Sequence, residues 1–274
     1  MTWGDWGKNL NDNQMISLIN CCLENNISTF DHADIYGNYT TEAAFGNAFA
    51  NAKIAREKVQ FISKCGIQTE ARNTIKHYDY SKEYIVWSVE NSLKNLKTDY
   101  LDVLLLHRPS PLMQADEIAE AIEKLKSDGK IIDFGVSNFT PIQCELIQTR
   151  TKIDSNQVSF SLTYFNAMTN GSLDYMQINN IVPMAWNPLG SIFKSNDEKN
   201  IKIKKTAVKL CEKYNIEIDV LLLIWIIKHP AGVLPVVGTT DRKRISKLNE
   251  INEINFGLED WFELYTASLG HKVA

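Results

Sequence analysis

The chain has 274 residues, 44% of them hydrophobic and 23% charged, with a formal net charge of −4. This size and composition fit one barrel-sized domain of about 250 residues, and the slightly acidic balance predicts neither a nucleic-acid nor a membrane-surface partner. No apolar run approaches the ~20 residues of a membrane span and the first residues lack a leader pattern, so we expect a cytoplasmic protein.

Short apolar runs of strand length alternate along the chain with amphipathic segments of helix length. This alternation is typical of repeated β–α units around a parallel sheet. The predicted strands are residues 27–30, 59–63, 101–106, 131–136, 155–158, 181–185 and 234–237. The predicted helices are residues 13–24, 41–52, 82–96, 116–127, 141–150, 173–179, 202–214 and 220–228. No linker rich in proline, glycine or serine divides the pattern, so we expect a single domain over residues 1–274.

Polar residues and glycine mark several of the predicted helix ends. Ser81 and Thr140 stand before predicted helices, and Pro141 fills a first helical position, where proline is well tolerated. Gly129 follows a predicted helix and provides a natural stop.

Four side chains with reactive chemistry come shortly after predicted strands. Asp31 and Tyr36 follow the first strand, Lys64 follows the second and His107 follows the third. A barrel of parallel strands gathers such groups at one rim. The sequence therefore predicts that a carboxylate, a phenol, an ammonium and an imidazole meet in one site.

These four groups suit proton transfer to a carbonyl oxygen. A phenol ionises near pH ~10, but a nearby ammonium favours the ionised form and a carboxylate keeps that ammonium charged and oriented. Tyr36 is therefore the predicted general acid–base, supported by Lys64 and Asp31, while His107 polarises the carbonyl. Because none of the four can supply a hydride, a nicotinamide cofactor is expected.

The cysteines and histidines give no sign of a disulfide framework or a metal site. The five cysteines are odd in number and form no Cys-x-x-Cys pair, which suits free thiols in a reducing compartment. The five histidines form no His-Glu-x-x-His motif. We therefore expect no structural zinc.

In these motifs the chain resembles the aldo-keto reductase superfamily over nearly its whole length. The matching motifs are Asp31-x-Ala33-x-x-Tyr36, Ser63-Lys64, His107-Arg108-Pro109, Gly135-Val136-Ser137-Asn138-Phe139 and Asn156-Gln157-Val158. In detail they are similar to a bacterial branch of oxidoreductases that has no well-defined substrate. The resemblance implies an α/β fold, the (β/α)8 TIM barrel. The family places a strand and a Gly-Thr pair before the segment that residues 1–4 resemble, so the resemblance implies a first strand truncated at the N-terminus.

The resemblance also implies NADPH-dependent reduction of a small aldehyde or ketone, often by a monomer. The residues at the family's cofactor positions are Ser137, Asn138 and Gln157 for the carboxamide, Trp186 for the nicotinamide ring, Asn187 and Leu189 for the pyrophosphate, and Gly238, Thr239, Thr240 and Arg244 for the adenosine phosphate. Arginine binds a phosphate with two parallel hydrogen bonds, which favours NADPH over NADH. The expected substrate wall consists of Trp3, Trp6, Tyr36, Arg108 and Tyr164.

Two alternatives to the reductase stay open, because the fold alone does not decide function. The first is a catalytically weak NADP(H)-binding scaffold that reports cofactor state to a partner. The second is a metal-dependent barrel hydrolase that uses Asp31, His32 and Asp34. Of the two carboxylates, Asp31 is assigned to the catalytic set because alternation along a strand places it on the same face as Ala33, whereas Asp34 is read as a structural carboxylate of the loop.

Overall fold

The computed structural model describes residues 2–274, which form nine β-strands and eleven α-helices. The strands are β1 (Thr29–Asp31), β2 (Gln60–Cys65), β3 (Ile67–Gln68), β4 (His77–Tyr78), β5 (Leu101–Leu106), β6 (Ile131–Ser137), β7 (Ser155–Ser159), β8 (Val182–Trp186) and β9 (Leu234–Pro235). The helices are α1 (Asp12–Glu24), α2 (Thr41–Ala52), α3 (Lys82–Leu96), α4 (Ala115–Ser127), α5 (Pro141–Gln148), α6 (Asn166–Thr169), α7 (Ser172–Ile178), α8 (Glu198–Tyr214), α9 (Ile218–Ile227), α10 (Arg242–Lys247) and α11 (Leu258–Leu269).

The chain divides into two compact units. The first runs to Asn156 and includes Gly238–Ile245, and the second consists of Gln157–Val237 and Ser246–Ala274. In the first unit, β1, β2, β5 and β6 are neighbours in that order and their pairs are parallel. In the second unit, β8 and β9 also pair in parallel. Helices separate these consecutive strands along the chain, so the predicted β–α alternation is confirmed, while the single domain stays a prediction.

An aromatic cluster fills the core of the first unit. The ring of Phe45 lies 5.2 Å from that of Phe30 and 5.6 Å from that of Phe61, and Phe49 lies 5.0 Å from Phe61. All four rings are buried. Removing this apolar surface from water stabilises the unit, and the tilted and edge-on ring pairs add directional contacts. The cluster holds α2 against β1 and β2, and so it fixes where the residues after these strands emerge.

Two tryptophans join α9 to α11 in the second unit. The rings of Trp225 and Trp261 stack at 4.9 Å with an interplanar angle of 9°. Each indole donates a hydrogen bond to the other residue's carbonyl oxygen, at 3.3 Å and 3.0 Å. After Asp219 in its first turn, helix α9 is apolar on all sides, as expected of a helix inside a core. Among residues 2–274, no helix is both long and apolar enough to cross a membrane.

The predicted starts of α3 and α5 agree with the observed caps, whereas that of α8 does not. The side chain of Ser81 accepts a hydrogen bond from the backbone of Tyr84. Thr140 and Gln143 form a reciprocal capping box at the start of α5. Helix α8 begins at Glu198 rather than at 202, because Asp197 accepts a hydrogen bond from the backbone of the third helical residue. A cap of this kind satisfies a backbone N–H that has no partner within the helix.

Several predicted bounds and elements were wrong. Strand β1 covers Thr29–Asp31, so its predicted start was two residues too early and its predicted end one residue too early. The antiparallel hairpin of β3 and β4 was missed because two-residue strands carry no alternation. Helix α11 was also missed, although its buried face follows helical spacing.

The capping box of α5 gives a stability prediction. Replacing Thr140→Ala should lower the free energy of unfolding by about 1 kcal/mol, because the backbone N–H of Gln143 loses its acceptor. Urea unfolding followed by far-UV circular dichroism measures the change. Thr74→Ala removes the same atoms from an exposed loop position and is the matched control. Equal losses in both variants would contradict the assigned cap.

Candidate active site

The parallel register of β1, β2 and β5 aligns the carboxyl ends of these strands. Asp31 is the register partner of Ile62, and Lys64 that of Leu105. The backbone N–H of His107 donates to the carbonyl of Cys65 at 2.9 Å, directly beyond the end of β5. Since carboxyl ends of parallel strands form one edge, three of the four predicted catalytic residues are brought together by the sheet itself.

Tyr36 reaches the same edge from a tight turn between β1 and α2. Its backbone N–H donates to the carbonyl of Ala33 at 3.1 Å, and its carbonyl accepts from Thr41 at 3.2 Å. Gly37 follows with φ +59°, and a Cβ there would lie 2.4 Å from the hydroxyl oxygen of Thr41. Glycine is therefore required by both conformation and space, and it allows α2 to begin directly behind the phenol.

Lys64 is the centre of the predicted catalytic set. Its ammonium nitrogen lies 2.7 Å from Asp31 Oδ2, 2.7 Å from the carbonyl oxygen of His32 and 3.4 Å from the phenol oxygen of Tyr36. The three donors of an ammonium thus have three acceptors. Burial alone lowers the pKa of Lys64, but the charge of Asp31 and the contacts with Asp31 and Tyr36 outweigh burial and raise it. The residue is only 1% exposed and its ammonium stays protonated.

His107 faces the phenol as a neutral imidazole. Its ring centre lies 5.9 Å from that of Tyr36 at an interplanar angle of 78°. Burial lowers the pKa of His107 well below its ordinary value, and the positive charges of Lys64 and Arg108 lower it further. Its Nδ1 is buried and has no hydrogen-bond partner among the described residues. A neutral imidazole can donate to a ligand oxygen without bringing a charge.

The predicted substrate wall is only partly exposed. Trp6 is 52% exposed, and its ring lies 6.2 Å from that of Tyr36. Arg108 donates to the carbonyl of His107 at 3.0 Å and to the hydroxyl of Ser137 at 3.1 Å. Trp3 instead is buried, with its ring 6.1 Å from Phe30, so we do not carry it into the proposed site. In the second unit, Tyr164 has an exposed ring.

Two groups of predicted cofactor residues lie in the first unit. Ser137 is buried at the end of β6, and its hydroxyl also accepts from the amide of Asn138 at 2.8 Å. The hydroxyl of Thr239 accepts from the backbone of Asp241 at 3.1 Å, and Arg244 is half-buried one turn later. Gly238 accepts from the hydroxyl of Thr2 at 2.6 Å. A hydroxyl and a guanidinium within six residues form a donor set that fits a phosphate.

Two backbone amides in the first turn of α10 already have an acceptor. Asp241 accepts from the backbone N–H groups of Lys243 and Arg244, at 2.8 Å and 3.4 Å. Its carboxylate therefore occupies the second and third amides of this helix. Side chains rather than helix amides are left to bind a phosphate here.

The remaining predicted cofactor residues lie in the second unit. Gln157 is buried in β7, Trp186 ends β8, and Asn187 follows in the left-handed conformation with φ 53°. The side chain of Asn187 accepts from the ammonium of Lys194 at 2.9 Å. Leu189, further along this loop, is half-buried.

Sequence reasoning missed Asn200, which holds the loop after β8. Its side-chain amide donates to the hydroxyl of Ser195 at 2.6 Å and to the carbonyl of Ser191 at 3.1 Å, and the side chain is buried. An asparagine three residues after the helix-capping Asp197 was the available signal. It was missed because such spacing is common in helix starts that hold no loop.

A metal site does not form at the residues proposed for it. No group of three or more potential ligands close enough to hold a metal ion exists among residues 2–274. His32 is buried with its ring 4.5 Å from Phe45 and 5.9 Å from Phe61, and burial lowers its pKa well below the ordinary value. Its imidazole belongs to the aromatic cluster, which argues against the metal-dependent hydrolase.

Comparisons with known proteins agree with this architecture. A model of the Aldo/keto reductase family matches residues 1–267. The uncharacterized oxidoreductase YcsN of Bacillus subtilis is 40% identical over 97% of this chain and 91% of its own length. A 6-dehydroglucose reductase of Agrobacterium fabrum is 36% identical over 93% of this chain and 88% of its own. An aldo/keto reductase structure from Klebsiella pneumoniae, in complex with NADP and acetate, has a TM-score of 0.79 at 25% identity, over 92% of this chain and 84% of that one. The predicted (β/α)8 barrel fold is confirmed.

The neutral state of His107 predicts an acid-sensitive stability. Since its pKa is lowered below the ordinary value of 6.5, the unfolded chain binds more protons than the folded one below that pH. The stabilisation is complete above the unfolded pKa and is lost as the pH falls through the folded pKa, by up to about 1.4 kcal/mol per pH unit. His107→Gln should remove this contribution.

Urea unfolding of both proteins at about pH 7, 6 and 5 measures the difference in slope. His32 titrates similarly in the two proteins, so the comparison isolates His107. Parallel pH profiles would show that the imidazole of His107 is not held neutral.

Proposed function

The chain belongs to the aldo/keto reductase family, and we propose that it reduces a small aldehyde or ketone to the alcohol with NADPH, with Tyr36 as the proton donor. The observation that carries the proposal is the buried ammonium of Lys64, held between Asp31 and the phenol oxygen of Tyr36. A scaffold that only binds a cofactor has no need of this arrangement. Cytoplasmic location and a monomeric state are sequence-based expectations.

Tyr36 supplies the proton in this mechanism. The phenol O–H breaks as the carbonyl oxygen becomes the alcohol, and the phenolate that remains is stabilised by the ammonium 3.4 Å away. Asp31 keeps the ammonium charged and directed at the phenol. Water then returns the proton to Tyr36. When bound, the reduced nicotinamide supplies the hydride to the carbonyl carbon.

His107 orients the carbonyl in the proposed mechanism. A neutral imidazole donates one hydrogen bond to the carbonyl oxygen, which adds to the donor from Tyr36 and polarises the bond. A protonated His107 would be a buried cation beside Lys64, and burial together with the Lys64 charge lowers the pKa of His107. The division of roles follows: Tyr36 transfers the proton, and His107 only positions the oxygen.

The proposal of NADPH as the cofactor has two supports, which are the side chains at the phosphate position and the cofactor bound in a similar structure. The family resemblance assigns Thr239 and Arg244 to the adenosine phosphate, and their hydroxyl and guanidinium suit that group. The Klebsiella pneumoniae structure was solved in complex with NADP. Ser137, Asn138, Gln157 and Trp186 remain the proposed nicotinamide contacts, with Asn187 and Leu189 along the pyrophosphate and Gly238 and Thr240 beside the phosphate.

The first substrates to test follow from the relatives and from Trp6. One relative is a 6-dehydroglucose reductase, so a sugar aldehyde belongs in the panel with simple aldehydes, ketones and ketoacids. The exposed ring of Trp6 beside Tyr36 offers an apolar face to such a substrate. NADPH consumption measured on this panel separates the reductase from a scaffold, because a scaffold binds NADPH without turnover.

Replacing Tyr36→Phe should lower kcat by at least about 100-fold, because the proton donor is removed. The Kd for NADPH, measured by quenching of tryptophan fluorescence, should stay within a factor of about two, since the change deletes only a hydroxyl. Tyr39→Phe is the matched control on the same loop, where the phenol accepts from the backbone of Thr69 at 3.1 Å. A Tyr36→Phe enzyme that turns over at the parental rate would refute the mechanism.

Replacing Arg244→Met should raise the Kd for NADPH by about 10- to 100-fold, because a charge-assisted hydrogen bond contributes about 1.5–3 kcal/mol. The Kd for NADH should not change, because NADH lacks the phosphate. Arg242→Met is the control, since that guanidinium donates to the carbonyl of Ser17 at 3.0 Å. An equal loss of NADPH and NADH affinity in the Arg244 variant would contradict the assigned phosphate contact.

A further inference from the structure

A buried carboxylate next to the catalytic set has no role in the proposed mechanism. Asp34 is 9% exposed and lies two residues before Tyr36. Its Oδ1 accepts from the backbone N–H of Ile35 at 2.7 Å. Its Oδ2 accepts from the hydroxyls of Ser88 at 3.1 Å and Tyr84 at 3.4 Å, both on α3. One side chain therefore connects the turn before Tyr36 to a helix that packs outside the sheet.

The segment that carries Tyr36 needs such a connection. Gly37, Asn38 and Tyr39 all have positive φ, at 59°, 53° and 69°. A left-handed tyrosine is uncommon and persists only when surrounding contacts determine it. The backbone N–H of Asp34 donates to the carbonyl of Lys64 at 3.0 Å, which fixes one side of the turn to β2. The side chain of Asp34 fixes the other side to α3.

We propose that Asp34 is a positioning residue, which sets the distance between the phenol of Tyr36 and the ammonium of Lys64 by tying the turn to Ser88 and Tyr84. The inference rests on the proposed function, because it assigns a role in the same reaction. Asp34 touches neither reacting atoms nor cofactor in this scheme. Its effect is on geometry alone.

The surroundings of Asp34 disfavour the charged form of its carboxyl group. Burial raises the pKa of Asp34 to about 7 and the charge of Glu42 on α2 adds to this, although the hydrogen bonds from Ser88, Ile35 and Tyr84 lower it. Cys65 of β2 and the phenols of Tyr80 and Tyr84 also face it, each with a pKa raised by burial and also by the Asp34 charge.

The buried carboxyl group of Asp34 makes the stability of the folded protein depend on pH. With a folded pKa near 7 against an ordinary 3.8, the folded protein binds more protons than the unfolded chain between these values, so Asp34 lowers stability as the pH rises. Because the hydroxyls of Ser88 and Tyr84 can donate or accept, both protonation states keep the connection to α3.

The test is a double variant, Ser88→Ala with Tyr84→Phe, which deletes only two hydroxyls and leaves Asp34 in place. We expect kcat to fall by about 10- to 100-fold, because a displacement of about 1 Å at a reacting group costs on that order. KM and the Kd for NADPH should stay within a factor of about two. Ser92→Ala is the matched control, since this serine lies on α3 but bonds Glu42 instead of the turn, and its kcat should equal the parental value.

The conservative variant separates positioning from bulk stability. In Asp34→Asn the amide oxygen can still accept from Ile35 while the amide nitrogen donates to Ser88 and Tyr84. We expect this variant to keep kcat within about 5-fold of the parental value while its Tm at about pH 8 rises, because a buried charge is removed. A kept kcat in this variant, beside the kcat loss in the double variant, would show that the connection to α3 and not the charge of Asp34 sets the geometry.

Nuclear magnetic resonance of ¹³C-labelled tyrosine makes the test independent of turnover. The Tyr36 ring signal, assigned from Tyr36→Phe, should move or broaden in the double variant and stay in place in Ser92→Ala. If no carbonyl compound is reduced by the parental protein, the proposed function fails and this signal alone decides the positioning role. An unchanged Tyr36 signal, a parental kcat in the double variant, or a kcat loss matched by lost NADPH affinity would each overturn the inference.

Discussion

A single buried positive charge determines how this site is built. Moving an ammonium out of water costs several kcal/mol unless its donors find acceptors and a counter-charge. Lys64 meets that requirement with the carboxylate of Asp31, the carbonyl of His32 and the phenol of Tyr36. Two of these acceptors come from the end of β1 and its following residue, and the third comes from the next turn. The register of β1 on β2 and the shape of that turn are thus constrained together.

The same charge also acts on His107. An ammonium in a region of low dielectric disfavours a second cation nearby, so Lys64 and burial together keep the imidazole neutral. Asp31 is less buried than Lys64, with side-chain exposures of 16% and 0%. The carboxylate therefore keeps some contact with solvent, while the cation has none. The ion pair of Lys64 and Asp31 in this way keeps the ammonium of Lys64 charged, and the ammonium keeps the neighbouring imidazole of His107 neutral.

Residue types and periodicity were enough to predict approximate strand positions and to select the four side chains near their carboxyl ends. β5 was predicted with its observed bounds because Leu101–Leu106 is apolar apart from Asp102 and ends directly before His107. The contact of Lys64 with the carbonyl of His32 was not predictable, because a backbone oxygen has no residue type. The links of Asp34 to α3 span 50 and 54 residues along the chain, and only the fold brings those partners together. The Asn200 contacts depend likewise on a loop conformation that no local pattern specifies.

His32 serves two environments through opposite ends of the residue. Its carbonyl oxygen is bound by the buried ammonium, whereas its imidazole packs edge-on against Phe45 in the aromatic cluster. The catalytic set therefore contacts only the main chain of His32, and the aromatic cluster contacts only its side chain. A different side chain at position 32 would therefore change the packing of the aromatic cluster, while the carbonyl oxygen that binds Lys64 would remain.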